Sequence, residues 1–316
     1  MAKKEFLDIV GEKKFLLIFG TLFIVVLVST FQGGLNYSSS QSSAGTIPRQ
    51  GEEQGVPGEF RVIGSAQGLS TALSSMVTNF SLVGGVLAIE ISFDTINMER
   101  QRGSLQTLLS YPIYRDTIIY GKYLGGLIAV TIVSVVTFLA GVGVFISVTG
   151  LPITADTAMR LLLFFGVTLI YMALFLAVGL LLSIVLPEPS TSLLASMIVW
   201  LASIQLIPNI GYAIGQILYP VRMSFAEGTP SFSMPTGFQA IRAVISSLSP
   251  STTYENIISS ILTSSRLAFS SGSATVVSID LGQALLQSLP SLIYFVGLLV
   301  AIFAAAYVVF MRQEIR

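Results

Sequence analysis

Glu90, Asp94, Asn97 and Gln101 follow one another at spacings of four, three and four residues, which puts them on one face of a continuous helix. They close an apolar run, residues 62–89, that carries no charge. A carboxylate held inside a bilayer costs about 3 kcal/mol, so the stripe should face a crevice, a neighbouring helix or water. There Glu90 and Asp94 are candidates for relaying a proton or coupling an ion. A second polar patch, Ser203, Gln205 and Asn209, lies within another charge-free run, 189–221. Glu90, Asp94, Ser203, Gln205 and Asn209 are therefore the candidate lining of a path through a membrane.

Other chemistry is excluded by residues that are missing. The chain has no histidine and no cysteine, which removes imidazole bases, thiol nucleophiles, disulfides and the usual metal ligands. Asp94 stands alone, without the paired aspartate-rich motifs of a prenyl-transfer enzyme. The phosphate-binding pattern GxxxxGK[ST] is absent: "GKY" at 121–123 has no glycine five residues before Gly121, and Tyr follows the lysine. No catalytic residue and no metal site is expected, and this chain is not expected to hydrolyse ATP. With a net charge of zero, no nucleic-acid partner is indicated.

The elements that position these residues are membrane helices. Of 316 residues, 53% are hydrophobic and 10% charged, with a mean hydropathy of +0.82; a soluble domain carries about 25% charged residues. Residues 15–48, 62–89, 123–155, 161–187, 189–221 and 281–311 contain no charge, and about 20 apolar residues suffice to cross a bilayer as a helix. The expected spans are 15–33, 74–96, 118–147, 158–186, 191–219 and 288–311, an all-α integral membrane protein with six transmembrane helices. Pro208 and Gly211 should kink the fifth span, and Pro290 sits near the start of the sixth. The first run is read as a retained span, since no small-residue cleavage site closes it.

Basic residues set the orientation. With the amino terminus inside, the inner side holds ten of them: Lys3, Lys4, Lys13, Lys14, Arg100, Arg102, Arg115, Lys122, Arg312 and Arg316. The outer side holds six: Arg49, Arg61, Arg160, Arg222, Arg242 and Arg266. Both termini are expected in the cytoplasm, residues 1–14 as an amphipathic interface helix and 312–316 as a tail. The chain is expected in the cell (plasma) membrane. Two extracytoplasmic segments remain, 34–73 and 220–286. The first is Ser-, Gly- and Gln-rich and reads as a flexible loop. In the second, "RMSFAEGTPSFSM" alternates like a short hairpin. After it, Ile241, Val244, Ile245 and Leu248, then Tyr254, Ile257, Ile258, Ile261 and Leu262, repeat at helical spacing. These are two amphipathic helices lying on the membrane or the spans, or a re-entrant pair closing the outer end of a path.

The connector 97–117 is charge-rich between two apolar runs. Gly103 breaks the second span, Leu105, Leu108 and Leu109 form an apolar stripe, and "YP" ends a short helix at Pro112. An apolar stripe beneath the membrane needs a cover. "ERQRGSLQTLLSYPIYRDTIIYGKYLGG" resembles the connector of the permease subunits of type-2 ATP-binding-cassette transporters, with Ser104 where that family usually has Thr. "KKEFLDIVGEKKFLL" at the start and "LSPSTTYENI" before the last span are similar to other regions of the family. The resemblance implies that 97–117 carries a cytoplasmic coupling helix. Glu99, Arg100, Gly103, Ser104, Leu105, Leu108, Leu109 and Pro112 would form or shape its contact with a separate ATPase subunit. It also implies an exporter in which ATP and Mg are bound by the ATPase partner, with no cofactor on this chain, and a second permease copy, identical or not. An ion-gradient-driven secondary transporter or channel using Glu90 and Asp94 is the alternative; no inverted repeat of such transporters is evident.

Overall fold

The computed structural model describes residues 6, 9, 11, 13–44, 68–101, 103, 115–150, 154–220, 222–226, 229–233, 235–263, 265–270 and 273–312. Among the described residues, six helices are long and apolar enough to cross a membrane: Lys13–Ser39, Leu73–Gln101, Asp116–Thr149, Ala155–Val185, Pro189–Leu218 and Leu281–Arg312.

The first span is α1 (Lys13–Ala44), which overruns the expected end at 33. The Ser-rich stretch that was to open a flexible loop continues the helix to Ala44. Ser38 and Ser39 hydroxyls donate back to the carbonyls of Leu35 and Asn36, so these serines bond within the helix instead of leaving it. The second span is composite: α2 (Gly68–Asn79), a π-helical turn (Phe80–Gly84), α3 (Gly85–Ser92), a turn at 93–96, and α4 (Asn97–Gln101). The third span, α5 (Arg115–Thr149), ends at Gly150, whose φ of 63° is open to glycine at no steric cost. The fourth, α6 (Ala155–Val185), is capped by Thr154, which accepts from the Thr157 amide. Pro187 and Pro189 bound a short turn into the fifth span, α7 (Pro189–Leu201), a π-helical turn (Ala202–Leu206) and α8 (Ile207–Leu218).

A hairpin of β1 (Arg222–Ala226) and β2 (Thr229–Ser233) follows, at the place of the alternating pattern. Then come α9 (Thr236–Ser246) and α10 (Pro250–Leu262), and a second hairpin, β3 (Ser265–Ser270) with β4 (Ser273–Ser278), which the sequence reading did not foresee. The sixth span is α11 (Leu281–Arg312).

The helices alternate in direction. Their proximal ends gather near Lys13, Gln101, Arg115, Val185, Pro189 and Arg312, and their distal ends near Ala44, Gly68, Thr149, Ala155, Leu218 and Leu281. At the proximal end Tyr123 packs on Phe303, 4.6 Å between ring centroids; toward the distal end Gly34 lets the first span lie against Val148 of the third. The fourth span is the axis of the bundle. It touches the second, third, fifth and sixth spans and α10, and its residues 171–180 are all buried. Helices with exposed apolar faces surround it, as expected of a protein whose outer solvent is lipid.

Candidate functional site

The connector's described flanks form an elbow at the proximal end of the second span. α3 closes with Phe93 N donating to Ile89 O at 2.9 Å, and regular pairing resumes with Met98 N to Asp94 O at 3.0 Å. Between them only a long Thr95 N to Ser92 O bond, 3.4 Å, spans the turn, and neighbours fill the rest. Ser183 Oγ of the fourth span accepts from Ile96 N and Asn97 N at 3.0 and 3.3 Å. Ser192 Oγ of the fifth span donates to Phe93 O at 2.8 Å, an oxygen that also takes Asn97 Nδ2. Buried backbone groups left unpaired are costly; here the second span can break inside the protein because two serines replace the missing helical bonds. Glu90, Asp94, Asn97 and Gln101 therefore do not lie on one continuous helix, which corrects the stripe expected from their spacing.

The short stub α4 is then fixed on three sides. Glu99 Oε1 meets Lys122 Nζ of the third span at 2.8 Å; the lysine side chain is 1% exposed and the glutamate 29%. Arg100 Nη2 donates to Ile184 O at 3.2 Å, and Gln101 Nε2 reaches Pro187 O at 3.5 Å. Beneath it a small apolar core joins Ile96, Ile118, Ile119, Leu180, Ile184, Ala306 and Phe310, drawn from the second, third, fourth and sixth spans. Closeness is set by Gly179: a Cβ there would collide with Ser92 Oγ. Gly103, at φ 70°, ends the stub in the left-handed region that glycine tolerates. Ser104, Leu105, Leu108, Leu109 and Pro112 lie outside the described residues.

Glu99 and Arg100, assigned by resemblance to contact with a partner, are thus engaged within the chain. The partners missing from the sequence reading are Ser183, Ser192 and Gly179. The sequence signal was faint: each serine stands within one or two turns of the Pro187–Pro189 turn.

The candidate path residues separate. Glu90 and Asp94 are half-buried on the second span. Gln205 and Asn209 are exposed on the fifth, aligned with exposed Tyr212 and Gln216, whose side chains are hydrogen-bonded at 2.8 Å. Ser203 is not on that face. It is buried among Ser249 and Ser251, accepting from Ser251 N at 3.1 Å and lying 2.8 Å from Ser251 Oγ.

That serine cluster marks the tip of a helical hairpin that enters the bundle from the distal end. α9 descends along α8, with Gly215 against Phe238 and Gly211 against Ile245. The tip, Ser249–Pro250–Ser251, meets Ser203. α10 climbs back along the fourth span: Ser251 Oγ lies 3.2 Å from Tyr171 OH, Tyr254 OH lies 3.0 Å from Thr168 Oγ1, and Arg160 at the distal end bonds Ile261 O and Thr263 O. From Arg160 to Tyr171 is about 16 Å along a helix, roughly half the hydrocarbon thickness. The hairpin thus packs lengthwise on the fourth and fifth spans, its tip about half-way along them. Arg160 is 2% exposed and also holds Asp156 Oδ2 and Ile279 O, so one side chain ties α10 to the start of the sixth span.

A family model described as ABC-2 family transporter protein matches residues 1–315. No curated protein matches the chain.

Proposed function

The chain belongs to the ABC-2 family of transporter proteins, a multi-pass membrane protein by its six apolar helices, and on that premise we propose that it is the permease subunit of an ATP-driven exporter. In this reading a separate ATP-binding-cassette subunit binds ATP and Mg, docks on the connector at the proximal, cytoplasmic face, and moves it during turnover. Two copies of the permease, identical or related, enclose the path. Leu105, Leu108 and Leu109 supply the apolar docking stripe, and Gly103 and Pro112 bound the helix that presents it.

The observation that carries the reading is the elbow. A connector continuous with a free loop would dissipate a push from below. Here the stub 97–101 is bonded to the third span through Lys122 and to the fourth through Ile184 and Ser183, while Ser192 of the fifth span holds the carbonyl at the break. A displacement of the connector is therefore delivered to four helices together, and the turn at 93–96 is where the second span bends. Glu99 and Arg100 act as positioning residues for that stub. The face carrying Gln205, Asn209, Tyr212 and Gln216, with Glu90 and Asp94 on the adjacent second span, is the proposed path lining, and Ser203 is withdrawn from it. The sparse charge of this face suits an amphipathic or lipid-like cargo.

The test is co-purification of the full chain with an ATP-binding-cassette subunit from its own genome, followed by ATP turnover in reconstituted membranes. Leu105→Asp should insert normally yet lose the partner and the coupled turnover; undiminished turnover refutes the coupling role.

A further inference from the structure

Arg242 lies on the descending helix α9, and its guanidinium makes no hydrogen bond or ion pair among the described residues. Its depth follows from its neighbours. A Cβ on Gly211 would sit 3.4 Å from Arg242 O and 3.2 Å from Ile245 Cβ, so Arg242 is level with Gly211. Gly211 is seven residues short of Leu218, about 10 Å below the distal end of the fifth span. Exposed apolar side chains continue above that level on α8, at Ile214, Ile217 and Leu218, and Leu248, just beyond the end of α9, is exposed below it. A cation thus emerges near exposed apolar side chains with no counter-charge among the described residues. Among the described carboxylates, Glu255, the nearest in the chain, lies beside Ser81 of the second span, and Asp156 is bonded to Arg160.

The side chain opens into a groove of about 420 Å³ between α9 and α10. Gln239, Thr252 and Asn256 line it with Arg242, over an apolar floor of Phe238 and Ala243. A charge at this depth is tolerated when it turns toward the headgroup layer or is met by an anion. A guanidinium suits a phosphate in particular, because its planar fork matches two phosphate oxygens at once.

We propose that this groove binds the phosphate group of a lipid in the distal leaflet. Arg242 supplies the fork, Gln239, Thr252 and Asn256 add hydrogen bonds, and the acyl chains extend from the groove toward the bilayer midplane, past the level of the exposed Leu248. The bound headgroup would then brace the hairpin from its lipid side, as the Ser203 cluster braces its tip. The proposal is independent of the coupling role of the connector.

The test is native mass spectrometry of the full chain in detergent, titrated in turn with phosphatidylglycerol, with diacylglycerol bearing the same chains, and with inorganic phosphate. Wild type should retain the phospholipid and not diacylglycerol, and inorganic phosphate should not displace it. Arg242→Gln should weaken retention about tenfold, the order of one charge-assisted contact. Asn256→Leu, which keeps the charge, should weaken it several-fold; helical circular dichroism checks the fold of both. Equal retention by Arg242→Gln, equal retention of diacylglycerol, or displacement by inorganic phosphate overturns the proposal. So does Arg242→Gln converting a dimer to monomers with lipid retention intact, which would assign the groove to a second copy of the chain.

Discussion

The Glu99–Lys122 pair gives the elbow a measurable asymmetry. The two side chains are 2.8 Å apart, but Lys122 is 1% exposed and Glu99 is 29% exposed. Removing one partner of a buried pair costs about 3–5 kcal/mol, because the other charge is left in a poor solvent. Glu99→Gln removes the counter-charge that Glu99 gives the buried ammonium and should approach the lower end of that range, about 3 kcal/mol. Lys122→Met instead fills the buried site with an apolar chain of similar length and leaves the carboxylate of a partly exposed side chain, which can turn from its buried pose toward water. Its cost should stay near 1 kcal/mol, in the range of a partly solvated pair. The double variant should resemble Lys122→Met, since the buried charge is gone. The measurement is thermal denaturation of the detergent-solubilised chain. At about 2–4 °C per kcal/mol, Glu99→Gln should lower the midpoint by about 6–12 °C and Lys122→Met by less than about 4 °C. If Lys122→Met proves the more damaging, or if the double variant shows the sum of both losses, the pair is not the buried clamp described and the stub is held by something else.

Three further outcomes follow from the same geometry. Ser183→Ala should destabilise by about 2 kcal/mol, more than Ser192→Ala, because it orphans two amides, whereas Phe93 O keeps Asn97 Nδ2 when Ser192 is lost; thermal melts of the two variants decide the order. Gly179→Ala should lower the melting midpoint by crowding Ser92, and Ser92→Ala in the same chain should recover part of the loss by removing the hydroxyl it strikes. Arg160→Lys should leave the charge but satisfy fewer of the carbonyls of Ile261, Thr263 and Ile279, so amide hydrogen exchange should rise in α10 and at the start of α11 while the elbow at 93–101 stays protected.

What the sequence made legible was set by periodicity and charge, and what it hid was set by partners distant along the chain. Six charge-free runs suffice to place six apolar helices, since length and hydropathy are local properties. The stripe from Glu90 to Gln101 failed because its spacing argument assumed unbroken pairing. The break depends on Ser183 and Ser192, some 85 to 100 residues away, and a serine within an apolar run looks the same whether it bonds its own helix or repairs another. Ser203 was grouped with Gln205 and Asn209 on composition alone. Two residues along a helix is about 200° of rotation, so Ser203 and Gln205 face opposite ways, whereas Gln205 and Asn209, four apart, share a face. The hairpin shows the same limit from the other direction. The repeats in α9 and α10 mark amphipathic helices, but a helix lying on a membrane and one tucked into a bundle can carry the same stripe. In α10 the whole predicted stripe, Tyr254 to Leu262, is buried; in α9 Ile245 meets Gly211 of α8, while Val244, and Leu248 just beyond the helix, stay exposed. The discriminating feature was the run of hydroxyls at 246–253, too polar for a tip at mid-membrane unless something answers it. Ser203 and Tyr171 answer it from the fifth and fourth spans, so the depth of the hairpin is a property of three elements at once.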